Sequence, residues 1–434
     1  MISVGIPALL RDDSRFRLLF TGQVLSTVGD RITPIAIAFA VLGLGSATDL
    51  GLVLAAGGIP FALFAIAGGV LSDRIGRREV MVASDVVRAI AQAITATLLL
   101  SGQAEIWMLA ALSAVYGIGA AVFMPAMMGL IPQTVAPARI QEANALLGMT
   151  RATAGIAGPV IAGILLAIAG PGEAIAVDAV TFVFSAICLA ALRPREIEPG
   201  EDLVPAEGFV AQLREGWREM RLRPWLRYGL VAMGAYHVLV LPAVFVLGPA
   251  LAQRELDGAR SWAIIVAAFG IGTVLGNVIA LRVRVRRPVL VSAIALVGAS
   301  MQAAIIGSGM GTWGIAAAEL VAGIAVALFF TLWDTSVQEQ VPARAVSRVS
   351  SYDFTVSLGL MPLGMAIAGP VADAVGLHMT LIGMSVAGGA VALIWLAVPD
   401  VRRVVRPAPE VELAVAAPGP HPATGAYVAP DSSR

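Results

Sequence analysis

Long apolar runs broken by short, arginine-bearing connections make up most of this chain. A helix crosses the hydrocarbon core of a bilayer with ~20 predominantly apolar residues. Twelve runs meet that length, at about 17–44, 50–72, 80–101, 106–131, 143–169, 173–192, 225–252, 261–281, 288–308, 312–337, 350–375 and 377–398. The pattern predicts an all-α membrane protein with twelve transmembrane helices. The first run, Leu18 to Leu44, exceeds the ~7–15 residues of a signal-peptide apolar region. It is expected to be a spanning helix and not a cleaved leader.

One connection, residues 193–224, is longer than the rest and divides the chain into two sets of six runs. The two sets echo one another. Val135-Ala136-Pro137-Ala138-Arg139 matches Gln340-Val341-Pro342-Ala343-Arg344, and Ala157-Gly158-Pro159 matches Ala368-Gly369-Pro370. Val53 to Ile59 matches Ile265 to Ile271, and all three matches fall at offsets between 205 and 212. Co-linear matches of this kind predict two pseudo-symmetric six-helix bundles related by an axis along the membrane normal. The expected organisation is a bundle over 1–192, a linker over 193–224, a bundle over 225–401 and a disordered tail over 402–434. Within the linker, Phe209, Leu213, Trp217 and Met220 share one helical face, which predicts an interfacial amphipathic helix over Glu207 to Leu222.

Composition agrees with a membrane span count this high. Of 434 residues, 58% are apolar and 13% charged, and mean hydropathy is +0.86. Soluble domains carry ~25% charged residues. The net charge is zero, which argues against a nucleic-acid partner. All 29 basic residues are arginine, and their placement is uneven. If both termini are cytoplasmic, the inner connections hold nearly all of them, from Arg11, Arg15 and Arg17 to Arg402, Arg403 and Arg406. The outer connections then hold Arg254 and Arg260. The positive-inside rule therefore places both termini in the cytoplasm and the protein in the inner (plasma) membrane. The single cysteine, Cys188, excludes an intramolecular disulfide, and the three histidines are scattered, so no metal site and no cofactor are expected.

Ionisable residues inside apolar runs cost ~2.5–3.5 kcal/mol each at a helix centre and need a reason to be there. Asp30 and Arg31 fall near the middle of the first run. Asp85 and Arg88 share a face of the third at i, i+3, Arg151 lies in the fifth, Asp178 in the sixth and Glu319 in the tenth. A desolvated carboxyl favours its protonated form and can exchange a proton when the site opens to water. Asp30 is the first candidate for that role and Glu319 the second. Two readings stay open for Asp30: a proton-coupling group, or a structural ion pair with a base such as Arg151. Arg31 is open between a pair with Glu319 and an anionic substrate group.

The connection Gly69-Val70-Leu71-Ser72-Asp73-Arg74-Ile75-Gly76-Arg77-Arg78 carries an acid, three arginines and two glycines. It resembles the loop between the second and third helices of the major facilitator superfamily. The fifth run, with Gly155, Gly158, Pro159 and Gly163, resembles the helix 5 motif of that superfamily's exporters, with Ala162 where one glycine is usual. Gly22-Gln23, Ser26 and Gly29-Asp30 in the first run resemble the group that contains enterobactin exporters and macrolide efflux proteins. The resemblance implies a secondary transporter with the major facilitator fold, exporting a bulky, partly apolar small molecule by proton antiport. It also implies a cytoplasmic gate at Gly69, Asp73, Arg74, Gly76, Arg77 and Arg78, and a hinge at the helix 5 glycines and Pro159. Two departures stand out. Ser113 sits where the family's helix 4 motif has an arginine ahead of Gly117-Ile118-Gly119, and the second-half loop, Leu281 to Arg287, lacks the acid.

By the same resemblance, helices 1, 4, 7 and 10 should line the substrate cavity. Its expected contacts are Gln23, Asp30, Arg31, Tyr116, Met124, Tyr236, His237, Glu319 and Trp333. The expected partners are a small-molecule substrate, protons and the lipid bilayer, acting on a monomer. An uptake permease of the same fold is the alternative. A membrane enzyme would need clustered acids or histidines at a membrane face, and a nucleotide-driven pump would need a P-loop; the sequence carries neither.

Overall fold

The computed structural model describes residues 8–195 and 217–406. Twelve long helices cross the molecule. They are α1 (Ser14–Leu44), α2 (Ala47–Ile75), α3 (Arg77–Leu100), α4 (Ile106–Thr134), α5 (Ile140–Ile168) and α6 (Pro171–Ala191). The second half holds α7 (Pro224–Glu255), α8 (Gly258–Arg282), α9 (Pro288–Ile306), α10 (Thr312–Gln340), α11 (Ala343–Val375) and α12 (Leu377–Ala397). All twelve contain a stretch long and apolar enough to span a bilayer, and no strand occurs among the described residues.

Local chemistry sets the helix ends. Asp13 caps α1, its carboxylate accepting from the Arg15 N–H at 3.1 Å. Ser46 and Asp49 form a reciprocal capping box at the start of α2. Single glycines make two reversals: Gly76 (φ +116°) joins α2 to α3, and Gly376 (φ +92°) joins α11 to α12. A side chain at either φ would be strained. The helix α7 is interrupted by π-type turns at Tyr236–Val240 and Ala243–Leu247, flanking Pro242. Of the expected linker helix, residues 217–222 are described and helical. They dock on the second half through buried Met220 and through Trp217, whose ring lies 6.4 Å from that of Tyr352. The remainder of that segment, and the tail beyond residue 406, lie outside the described residues.

The apolar packing shows how the halves meet. One buried cluster draws on both halves, including Ile32, Leu50, Ala162, Val246, Trp262 and Met365. All of these lie toward the end of the molecule opposite residues 8 and 406. Toward the terminal end there are two separate cores. One runs from Leu9 to Leu192 and stays in the first half, and the other runs from Met220 to Val401 and stays in the second. Among the described residues, the apolar cores of the halves are therefore joined at the far end and parted at the terminal end.

Two glycine-lined seams make the far-end closure, α2 against α11 and α5 against α8. A Cβ on Gly58 would come within 2.7 Å of Pro362, and one on Gly270 within 2.7 Å of the Gly155 carbonyl oxygen. In lipid, helices gain little from apolar burial alone, and small residues that allow close approach supply the packing. The Thr48 hydroxyl also donates to Asp373 across the α2–α11 seam at 2.7 Å.

Candidate functional site

The interior of the first half holds a polar cluster built from four helices. Asp30 on α1 accepts from the Tyr116 phenol of α4 at 2.7 Å. Arg88 on α3 lies 3.7 Å from the same carboxylate oxygen and bonds to Asp85 one turn earlier on its own helix. The guanidinium is sandwiched between the rings of Phe123 and Phe182, at 4.4 and 4.2 Å from their centroids. A desolvated cation over an aromatic face is worth ~2 kcal/mol, and here two faces hold it. On α6, Asp178 accepts from Thr33 of α1 and from Gln92 of α3, each at 2.6 Å. Gln92 also donates to Thr33 at 2.9 Å.

Asp30 is the exposed member of this cluster. Its side chain is 38% accessible, against 4% for Arg88 and 0% for Asp85. It opens onto a cavity of about 300 Å³ between α1, α2, α3, α4 and Met361 of α11, with Thr33, Gln92 and Tyr116 also on its wall. Pro34 on the same wall cannot donate to the Asp30 carbonyl, which leaves that carbonyl without its helical partner. A second, larger hollow of about 550 Å³ is almost wholly apolar in its lining and lies along α5, α8 and α10.

Arg88, Asp85 and Asp178 were not among the expected site residues, although each is a charge inside an apolar run. Their signal was present in the i, i+3 spacing of Asp85 and Arg88 and in the isolation of Asp178; no local pattern showed that they converge on Asp30. Arg88 also answers the departure in helix 4. No arginine precedes Gly117-Ile118-Gly119, and Gly119 instead makes room for the Arg88 stem, which a Cβ there would meet at 2.9 Å. The interior arginine of this half comes from α3.

Several expected placements are corrected. The base beside Asp30 is Arg88, and Arg151 is exposed. Arg31 does not reach Glu319; it packs over Gly158 of α5. Glu319 is 2% exposed inside the second half and accepts from Gln302 at 2.8 Å, and Gln302 accepts from Tyr236 at 2.6 Å. Trp333 is 1% exposed in an aromatic core with Trp225, Phe329 and Trp395, its indole N–H donating to Asp353 at 2.9 Å. His237 packs between Tyr236 and Phe330, with its Nδ1 at 2.8 Å from the Met233 carbonyl. These four side chains of α7 and α10 are packed inside their own bundle and do not line the cavity beside Asp30. Gln23 is buried as well, and Met124 is exposed on α4 without joining that cavity.

Two arginines of the α2–α3 loop make contacts within the first half. Arg77 donates to the Gly129 carbonyl of α4 at 2.6 Å, and Arg78 to the Leu189 and Ala190 carbonyls at the end of α6. A cation at a helix C-terminus satisfies orphan carbonyls and the dipole. Both arginines thus hold their own half together, while Arg74 is exposed. Gly69 and the Asp73 side chain lie outside the described set. The helix 5 residues divide: Gly163 faces Ala263 of α8, the Gly155 carbonyl lies against Gly270 of α8, and Gly158 faces α1.

Twelve helices in two pseudo-symmetric sets, closed at one end and parted at the other around an interior carboxylate, define a multi-pass membrane transporter of the major facilitator superfamily. The chain belongs to the transmembrane secretion effector family, whose sequence model matches residues 8–423. It is 27% identical over 382 residues to the multidrug efflux pump Tap of Mycolicibacterium fortuitum, covering 85% of this chain and 91% of that one. It is 23% identical over 370 residues to macrolide efflux protein A of Streptococcus pyogenes, covering 84% and 91%. Among solved structures, a mutant of the nucleoside transporter NupG superposes with a TM-score of 0.71 at 12% identity, over 88% of this chain and 98% of that one. A bacterial homologue of the iron transporter ferroportin, in an inward-facing state, superposes at 0.64 with 15% identity, over 88% and 98%. At those identities the structural likeness speaks for the fold alone.

Proposed function

We propose that the protein exports a bulky, partly apolar small molecule (a drug, an antibiotic or a siderophore-like compound) across the plasma membrane by proton antiport. The observation that carries the coupling reading is Asp30, a carboxylate at mid-membrane that is open to a cavity on one side and touches Arg88 and Tyr116 on the other. A proton moving through 100 mV releases ~2.3 kcal/mol, and a group whose exposure changes between states can convert that into directed transport. The efflux relatives support the direction, and the apolar walls of both hollows suit a substrate with apolar surface. Chemistry on the substrate is not part of this function; the protein is a carrier.

The arginine distribution supports cytoplasmic termini, which makes the parted end the inner one and the conformation inward-open. Closure of that end would bring the α2–α3 loop, with Asp73, toward the start of α11, and Asp73→Asn should lower transport at equal protein level. Reporter fusions at Pro199 and near Arg406 should both report cytoplasm; a periplasmic signal from either overturns the orientation. The function itself is tested with ethidium and a panel of macrolides in everted vesicles. Energised vesicles should accumulate substrate, a protonophore should collapse the accumulation, and replacing sodium should not. Accumulation in right-side-out vesicles instead would establish uptake.

A further inference from the structure

The first-half cluster contains three carboxyls, Asp30, Asp85 and Asp178, and a single guanidinium, Arg88. Arg88 faces Asp30 and Asp85. Asp178 is left with neutral partners. It is 0% exposed, forms no ion pair among the described residues, and takes its two short hydrogen bonds on one oxygen, Oδ2, from Thr33 and Gln92. The groups that face it are Asp30 and Thr33 from α1, Arg88 and Gln92 from α3, and Tyr116 from α4, with Thr181 on its own helix. An ionised Asp178 would leave the buried cluster with two uncompensated negative charges inside the membrane, where even one is costly.

We propose that Asp178 is a second proton-binding site, placed behind Asp30 and holding the proton that Asp30 exchanges with the cavity; this rests on the proton-coupled reading above. The hydrogen-bond inventory closes for the neutral acid. Oδ2 serves as acceptor for Thr33 and Gln92, and Oδ1 carries the proton. The Thr181 hydroxyl has one hydrogen, within reach of both the Asp178 backbone carbonyl at 2.7 Å and Oδ1 at 3.3 Å; with that hydrogen on the nearer carbonyl, its oxygen can accept the Oδ1 proton. An ionised Asp178 would have for Oδ1 only the long 3.3 Å contact to a hydroxyl that also serves the backbone carbonyl.

Access is also built in. Thr33 and Gln92 stand on the cavity wall with Asp30, and Asp178 lies directly behind them. The Thr33 hydroxyl can pass its proton to Oδ2 while accepting one from cavity water. One O–H bond on Thr33 breaks and one forms; the water takes up the proton that Asp30 releases as it gives its own to Thr33, so the Asp178 carboxyl gains the proton that Asp30 loses and the water is unchanged. The Asp178 carboxyl then turns its protonated oxygen toward Thr181. Thr33 sits one turn after Asp30 on α1, and Gly29 of the same helix leaves the space that the carboxyl fills. A Cβ at Gly29 would overlap Asp178 Oδ1 and approach Thr181 Oγ1 to 2.5 Å. Any shift of α1 against α6 therefore changes the hydrogen bonding of Asp178 and the exposure of Asp30 together.

Infrared spectroscopy of the purified full chain in detergent at neutral pH tests this without a substrate, because a protonated carboxylic acid has a C=O stretch separate from amide and carboxylate bands. The wild-type spectrum should hold a component that is lost in Asp178→Asn and retained in Asp30→Asn; Glu319→Gln separates the contribution of the other buried acid. Thr33→Val should move the Asp178 component to higher frequency by removing a donor, and this arm decides if Asp178→Asn does not fold. Identical protonated-acid bands with and without Asp178, or no shift in Thr33→Val, overturn the proposal. Protonophore-insensitive ethidium efflux with the band present would sink the coupling reading and leave the site standing. Protonophore-sensitive efflux with the band absent would sink the site alone.

Discussion

Each half of this transporter buries a polar group at mid-membrane, and the two are built on opposite terms. In the first half, Asp30 and Asp85 share one arginine, Asp178 lies behind them with neutral partners, and Asp30 faces a cavity. In the second, Glu319 sits at the end of a neutral chain, Tyr236 to Gln302 to Glu319, with no cation paired to it among the described residues and 2% exposure. A carboxyl held by an amide in a sealed pocket has no route for its proton and no counter-charge to ionise against. A carboxyl between a guanidinium and water has both. The difference teaches that two sets of six helices sharing one fold can hold acids in unlike surroundings, charged and open to a cavity in the first half, neutral and packed near Trp225, Trp333 and Trp395 in the second.

The strongest test of that contrast is Arg88→Leu. It leaves Asp85 buried without its partner, and removing one side of a buried pair costs about 3–5 kcal/mol. Thermal unfolding in detergent should show a large loss, or the protein should fail to accumulate. A melting temperature equal to wild type would mean that the cluster is already neutral without Arg88.

Asp30→Asn comes next and acts on coupling. Without the exchangeable proton, the substrate gradient sustained at ~100 mV should fall about fiftyfold, the factor equivalent to ~2.3 kcal/mol. Substrate-for-substrate counterflow, which needs no net proton movement, should persist. Full proton-driven accumulation in this variant would remove Asp30 from the coupling step.

Gly29→Ala should have an intermediate effect, because its Cβ would collide with the Asp178 carboxyl. Overpacking of this kind costs about 1–3 kcal/mol. Gly43→Ala on the same helix meets nothing within 4 Å and serves as the control; equal melting temperatures for the two variants would contradict the close α1–α6 contact.

The smallest effect is expected from Glu319→Gln. The new amide oxygen can accept the Gln302 bond that the carboxyl accepts now. Stability should change by no more than ~1 kcal/mol, and ethidium efflux should stay within about twofold of wild type, well inside a 1.4 kcal/mol tenfold step. Loss of proton-driven efflux here would transfer the exchange role to the second half and reverse the comparison.

Much of the architecture was legible along the chain. The twelve runs, the repeat between Val135–Arg139 and Gln340–Arg344, and the glycines of α5 all follow from local composition. Asp30 was legible too, since a carboxyl in the middle of an apolar helix declares its own cost. Its partners were not. Arg88 lies 58 positions away in the chain and Asp178 lies 148 away, and both look, on their own helices, like isolated charges. Tyr236, His237 and Trp333 suggested cavity contacts by type, and the structure buries all three within the second half.

The sequence by itself determined how many helices form and where the arginines gather, because span length and charge placement are properties of contiguous residues. Only the tertiary structure decided which faces of those helices look inward, which acid shares Arg88, and which acid is left with neutral partners. A membrane helix is apolar on its lipid side as well as on its protein side, so its rotation leaves little trace in the hydrophobic pattern. That rotation is set by close contacts such as Gly29 against Asp178 and Gly119 against Arg88, which exist only when the helices meet.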